Sequence, residues 1–104
     1  MSERRLRIEA LIASPPTAKC EIILAMLDEL MAAHPGELLV DVYLAGEQPG
    51  STPTKGYQDK GKFKRVPSLF VNGVMVCQAE VPERGELERI LALELAKGPQ
   101  RWMD

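Results

Sequence analysis

One segment predicts the centre of the fold: Val66-Pro67-Ser68-Leu69-Phe70-Val71-Asn72-Gly73-Val74-Met75-Val76-Cys77. Asn-Gly between two apolar runs is a strong signal for a β-hairpin, because a two-residue turn needs positive φ at both positions. Such a turn would give three cross-strand pairs: Val71 with Val74, Leu69 with Val76, and Ser68 with Cys77. Alternation along the strands then predicts Cys77 on the face of Phe70, away from Pro67. Packing is therefore its expected role.

The elements around the hairpin follow from apolar periodicity and breaker residues. Alternation over Leu6 to Ile12 predicts a strand that becomes buried toward its end. Thr17 is a good helix N-cap, and a helical apolar stripe follows it until His34-Pro35-Gly36. Leu38 to Leu44 is a second strand, and a last helix starts near Pro82 and stops at Gly98-Pro99. The predicted order is β-α-β, a polar segment, a β-hairpin and an α-helix.

The polar segment between the second strand and the hairpin carries most of the positive charge. Residues 46–54 resemble a linker, rich in glycine, proline and small polar side chains. Residues 55–65 hold five basic side chains and one acid, a local net charge of +4. The sequence does not decide whether Gln58–Lys64 forms a short helix, because Gly56 and Gly61 lower the helix propensity there.

Composition narrows the class of protein. A chain of 104 residues with 45% apolar and 27% charged residues predicts one domain, here 1–98, with a short tail at 99–104. The net charge of −2 argues against a nucleic-acid partner, and no apolar run is long enough for a membrane span. Two distant cysteines predict neither a disulfide framework nor a metal site. We expect a cytoplasmic protein without cofactor or metal.

The chemistry-bearing motif is Thr17-Ala18-Lys19-Cys20 at the start of the first helix. A thiol in a first helical turn meets unpaired N–H groups and the positive end of the helix dipole, both of which favour thiolate. The Thr17 hydroxyl would lie beside that thiol. His34, the only histidine, lies about 21 Å along the helix from Cys20 and is excluded as its base. The alternative is that Cys20 is a buried core residue and Thr17 a simple cap.

Together these motifs resemble the thioredoxin and glutaredoxin superfamily, most closely small bacterial and archaeal thioredoxin-like proteins. The resemblance covers about Leu6 to Lys97, and its most specific part is Val66 to Gly73, followed by Val81-Pro82 and Glu86-Leu87. It implies an α/β thioredoxin-like fold with a four-stranded mixed sheet and flanking helices. It also implies a cis bond before Pro67, which lies against the active-site cysteine position. The backbone of Val66 would pair with a bound peptide or glutathione.

Three departures separate this chain from a dithiol thioredoxin. Thr17 occupies the place of the nucleophilic cysteine, so only Cys20 remains. Leu11 occupies the place of a buried acid, and Ala79 that of a loop glycine. Because a dithiol cycle needs two neighbouring sulfurs, ordinary thioredoxin turnover is not expected.

Two functional hypotheses remain. In the first, the protein is a single-cysteine thiol-redox protein that exchanges with a protein or a glutathione-like thiol. Its expected site residues are the catalytic Cys20 and Thr17 and the substrate-binding Pro16, Lys64, Arg65, Val66 and Pro67. In the second, it is a non-catalytic binding module that uses the same groove beside Pro67.

Overall fold

The computed structural model describes residues 6–47, 52–59 and 65–96 of the chain. Within these ranges the elements are β1 (Leu6–Ile12), α1 (Ala18–Ala33), β2 (Leu38–Leu44), α2 (Lys55–Asp59), β3 (Ser68–Val71), β4 (Val74–Gln78) and α3 (Arg84–Ala96). The predicted order is confirmed. A short helix is present in the polar segment, but it starts at Lys55, before the stretch in which the sequence left it open.

The four strands form one mixed sheet in the order β2-β1-β3-β4. β1 and β2 are parallel, whereas β3 is antiparallel to both β1 and β4. The parallel pair requires a crossover, which α1 provides. The predicted α/β fold with a four-stranded mixed sheet is confirmed.

The two long helices cover one face of the sheet. Ile8 and Ala10 of β1 pack in the same core cluster as Leu27 of α1 and Leu91 of α3. The opposite face carries a smaller aromatic cluster in which the Tyr57 ring stands edge-on to Tyr43 and Phe70. Tyr57 belongs to α2, so the short helix covers part of this second face.

The burial of β1 differs from the prediction. The sequence suggested a strand buried only toward its end, yet Arg7 and Glu9 are buried as well. Glu9 accepts hydrogen bonds from the Tyr43 hydroxyl at 2.7 Å and from the Thr54 N–H at 2.8 Å and hydroxyl at 2.5 Å. Alternation in the sequence cannot show such burial, because the partners are Tyr43 of β2 and Thr54, the residue before α2.

Arg7 joins this polar cluster from the same face of β1. Its Nε lies 2.6 Å from an oxygen of Asp41, and its NH2 group donates to the Tyr43 hydroxyl at 3.1 Å. The same group donates to the carbonyl of Thr52 at 2.9 Å. Paired in this way, the buried charges avoid the large cost of isolated burial, and residues 52–54 are held against the sheet.

The hairpin register differs from the prediction beyond the turn. Val71 pairs with Val74 as expected, but Leu69 pairs with Cys77 and Ser68 with Gln78, because one extra residue enters β4. This bulge places Cys77 among the residues packed against the core of α1 and α3. The predicted face of Cys77 was therefore wrong, although its packing role agrees with its position.

Two further points depend on which residues the structure describes. No helix within those ranges has the length and apolarity needed to span a bilayer. Lys64 and the predicted tail at 99–104 lie outside the described residues.

Two glycine-to-alanine substitutions should have opposite effects on stability. A Cβ at Gly56 would lie 1.9 Å from the carbonyl oxygen of Gly73, whereas a Cβ at Gly85 would meet nothing within 4 Å. Gly56→Ala should therefore lower the free energy of unfolding by about 1–3 kcal/mol through overpacking. Gly85→Ala, in α3, should raise it by roughly 0.5–1 kcal/mol through helix propensity. Urea unfolding followed by circular dichroism measures both, and equal effects would contradict this packing of α2 on the hairpin turn.

Candidate functional site

The thiol of Cys20 is positioned by the way β1 ends and α1 begins. Pro15 and Pro16 follow the strand, and the Ser14–Pro15 peptide bond is cis. Thr17 is extended, with φ −79° and ψ 173°, and its hydroxyl accepts from the Cys20 N–H at 3.3 Å. The predicted N-cap is confirmed, and it fixes Cys20 in the first turn of α1.

The Cys20 sulfur accepts two hydrogen bonds. The Thr17 hydroxyl donates to Sγ at 3.2 Å, and the backbone N–H of Ala13 donates to it at 3.4 Å. The residue itself is fully buried, with a relative exposure of 0%. The sulfur is therefore an acceptor enclosed by the loop that joins β1 to α1, although Thr17 in that loop is exposed.

The two cysteines have opposite acid–base environments. Burial raises the pKa of the Cys20 thiol, but the hydrogen bonds from Thr17 and from the Ala13 N–H lower it more, so that the pKa lies below its usual value. For Cys77, burial and the nearby Glu80 carboxylate raise the pKa. Its S–H donates to the carbonyl oxygen of Glu80 at 3.3 Å. Only Cys20 is therefore in an environment that favours thiolate.

The backbone of Ala79 connects the Cys20 helix to the segment around Pro67. The Val66–Pro67 peptide bond is cis, the geometry that the resemblance implies. The Ala79 N–H donates to the Pro67 carbonyl at 2.7 Å, and the Lys19 ammonium donates to the Ala79 carbonyl at 3.0 Å. Ala79 therefore links Lys19, the residue before Cys20, to the cis-proline Pro67.

The remaining predicted residues lie along these two loops. Pro16 is exposed beside Thr17, whereas Pro67 is buried and Val66 half-buried. Arg65 is exposed, and its carbonyl accepts a hydrogen bond from the Ser68 hydroxyl. Within the described ranges, Thr17 and Cys20 are in direct contact, and Pro67 is connected to them through Ala79 and Lys19.

Sequence reasoning did not identify the structural role of three groups at this site. Ala13 contributes only a backbone N–H, which leaves no sequence signal. Nothing in the sequence marks Lys19, because its partner is a carbonyl 60 residues away in the chain. Ala79 was noted in place of a loop glycine, and its φ of +63° shows that this position does require the left-handed region.

Two further placements bear on what the site can hold. His34 is the C-cap of α1, with Nδ1 3.2 Å from Glu37, so it lies at the opposite end of the helix from Cys20. Leu11 is half-buried in the aromatic cluster, and the buried carboxylate on that face belongs to Glu9. No three His, Cys, Asp or Glu side chains of the described part of the chain form a cluster that could hold a metal ion.

Ala79→Gly should stabilise the protein. An alanine in the left-handed region costs about 1–2 kcal/mol, a cost that glycine avoids, although glycine gains more entropy on unfolding. We expect the free energy of unfolding to rise by up to about 1 kcal/mol, measured by urea denaturation. A loss of stability would show that the alanine methyl group makes compensating contacts.

The fold has counterparts among solved structures. The crystal structure of the germline-specific thioredoxin Deadhead from Drosophila melanogaster matches with a TM-score of 0.55 at 10% sequence identity. The match covers 86% of this chain and 81% of that chain. No family model matches the sequence, and no curated protein matches it. At this identity the likeness concerns the fold alone: the chain has a thioredoxin-like fold.

Proposed function

We propose that this protein is a thiol-redox protein of thioredoxin-like fold in which Cys20 is the single reactive sulfur. The observation that carries the proposal is the environment of that sulfur. Thr17 and the Ala13 N–H both donate to Sγ, and these hydrogen bonds hold its pKa below the usual value. A cysteine that served only to fill the core would have its pKa raised, as Cys77 has.

The proposed reaction is exchange with an external disulfide. The Cys20 thiolate attacks one sulfur of a partner disulfide, forms a mixed disulfide and releases the other sulfur as thiolate. A second thiol, from a protein or from a glutathione-like molecule, then attacks the mixed disulfide and releases Cys20 as thiolate. Thr17 donates its hydrogen bond to the sulfur whenever it carries charge. No second cysteine of this chain is needed.

The segment around Pro67 would receive the partner. Val66 is half-buried next to the cis-proline, and Arg65 is exposed one residue earlier. Lys64, Arg65 and Pro16 complete the proposed substrate-binding set, with the two basic residues attracting carboxylates of the partner. The proposal includes a cytoplasmic location, which the two free cysteines of the described ranges support.

A second candidate is a binding module that uses the Pro67 groove without thiol chemistry. The observation that favours it is the 0% exposure of Cys20. Attack on a disulfide requires access to the sulfur, so the loop over Cys20 would have to open. In the binding module it would stay closed, and Thr17 would serve only to cap the helix.

Alkylation kinetics distinguish the two functions. In a Cys77→Ser background, the redox function predicts that Cys20 reacts with iodoacetamide at pH 7 faster than the same cysteine in urea. The thiolate forms as the pH rises through the pKa. The alkylation rate of the folded protein should therefore rise at a lower pH than the rate of the same cysteine in urea. Thr17→Val should slow the reaction at pH 7 by roughly tenfold, because a hydrogen bond to a charged group contributes about 1.5–3 kcal/mol.

Thr17→Ser is the matched control, since it keeps the hydroxyl that caps the helix and donates to Sγ. Its rate should stay near that of the parent protein. A Cys20 that reacts no faster than the unfolded thiol would exclude the redox function and leave the binding module.

Thr17→Cys should create dithiol activity. It places a second sulfur three residues before Cys20, where the two can form a disulfide within the first helical turn. Reduction of insulin disulfides by dithiothreitol should be accelerated by this variant and hardly at all by the parent protein. Thr17→Cys combined with Cys20→Ser serves as the single-thiol control. A folded but inactive Thr17→Cys variant would contradict the assignment of this loop as a redox site.

A further inference from the structure

An apolar groove lies between α1 and α3 on the outer surface of the molecule. It is lined by Ile22, Ala25 and Met26 of α1, with Glu29 and Arg84 at its border. Ile22 is 52% exposed and is therefore available to a partner. The groove encloses about 240 Å³, below the roughly 300–1,000 Å³ typical of small-molecule pockets. It therefore suits one large side chain of a protein better than a free metabolite.

The two helices that flank this groove carry an excess of negative charge. α1 and α3 hold six carboxylates and three cations, a net charge of −3. The carboxylates are Glu21, Asp28, Glu29, Glu86, Glu88 and Glu94, and the cations are Lys19, Arg84 and Arg89. Such a surface repels nucleic acid and anionic membranes and attracts a basic protein segment.

The border of the groove has the same excess of negative charge. Arg84 pairs with Glu29 across the two helices and donates from Nε to Glu88 at 3.0 Å. One guanidinium is therefore shared by two exposed carboxylates. Because exposed ion pairs are weak, a lysine or arginine of a partner could compete for these carboxylates at small cost.

We infer that this groove binds a basic amphipathic segment of a partner protein. An apolar side chain of the segment enters between Ile22 and Met26, and its basic residues meet Glu29 and Glu88. Apolar anchors in a pocket supply most of the affinity of such surfaces, while complementary charge raises the association rate and adds specificity.

The groove is also close to the thiol site along the same helix. Ile22 follows Lys19 by three residues, so both lie on one side of α1. The inference goes beyond the proposed function, because it names the chemistry of the partner and does not depend on the reactivity of Cys20.

Binding of a model peptide tests the inference. The probe is a synthetic helical peptide of lysine and leucine with leucines at i, i+3, i+4 and i+7, and its control has glutamate in place of every lysine. Titration into ¹⁵N-labelled protein should shift the amides that surround the groove with the lysine peptide only. Affinity should fall several-fold from about 0.01 M to about 0.15 M salt, as the screening length shortens from about 30 to about 8 Å.

Three variants make the test specific to the groove. Ile22→Gln should weaken binding of the lysine peptide by roughly tenfold, since it removes an apolar contact from the site. Arg84→Gln should strengthen binding, because it leaves Glu29 and Glu88 to the peptide. Val74→Gln is the matched control: Val74 is 68% exposed in β4, outside this groove, and the variant should bind like the parent.

Several outcomes would overturn the inference. One is equal binding by the parent protein and Ile22→Gln, which would show attraction by charge alone. Another is equal binding of the glutamate peptide, and a third is a set of amide shifts centred away from α1 and α3. Shifts of the groove amides that depend on protein concentration without peptide would assign the groove to a second copy of this chain instead.

Discussion

The buried carboxylate of Glu9 is the constraint on which the second face of the sheet depends. A polar side chain in a protein interior is tolerated only when its atoms are hydrogen-bonded. The Tyr43 hydroxyl and two groups of Thr54 meet this requirement. Thr54 immediately precedes α2, so the same bonds hold the short helix against β1 and keep Tyr57 in the aromatic cluster. Burial and the nearby Glu9 raise the pKa of Tyr57 to about 12, which keeps that ring neutral.

A second constraint acts on the opposite side of the sheet, where one turn of helix holds both the cap and the thiol. The Thr17 hydroxyl accepts from the Cys20 N–H and donates to the Cys20 sulfur. Helix capping and stabilisation of a thiolate therefore depend on one oxygen atom. For Cys77, burial and the Glu80 carboxylate raise the pKa by more than one backbone hydrogen bond from Leu69 lowers it. The contrast therefore reflects both the donors around Cys20 and the carboxylate beside Cys77.

In both proposed functions the partner would approach the first turn of α1 and the segment around Pro67. Ala79 links this turn to Pro67 by accepting from Lys19 and donating to the Pro67 carbonyl. α1 and α3 carry an excess of carboxylates, whereas several basic residues precede Pro67 in the chain.

The sequence by itself determined the order of the elements, the mixed α/β class, the Thr17 cap and the β-hairpin that turns at Asn72-Gly73. These features depend on periodicity and on residues whose effects are local, so they can be derived from neighbours in the chain. Tertiary structure alone decided the burial of Glu9, the face of Cys77 and the hydrogen bond from Ala13 to the Cys20 sulfur. The partners of Glu9 come from distant segments, and one extra residue in β4 reverses the alternation at Cys77. The Ala13 N–H reaches the Cys20 sulfur only through the path of the loop between β1 and α1. Pattern reasoning contains no information on these features, because they depend on how strands and loops are arranged in three dimensions.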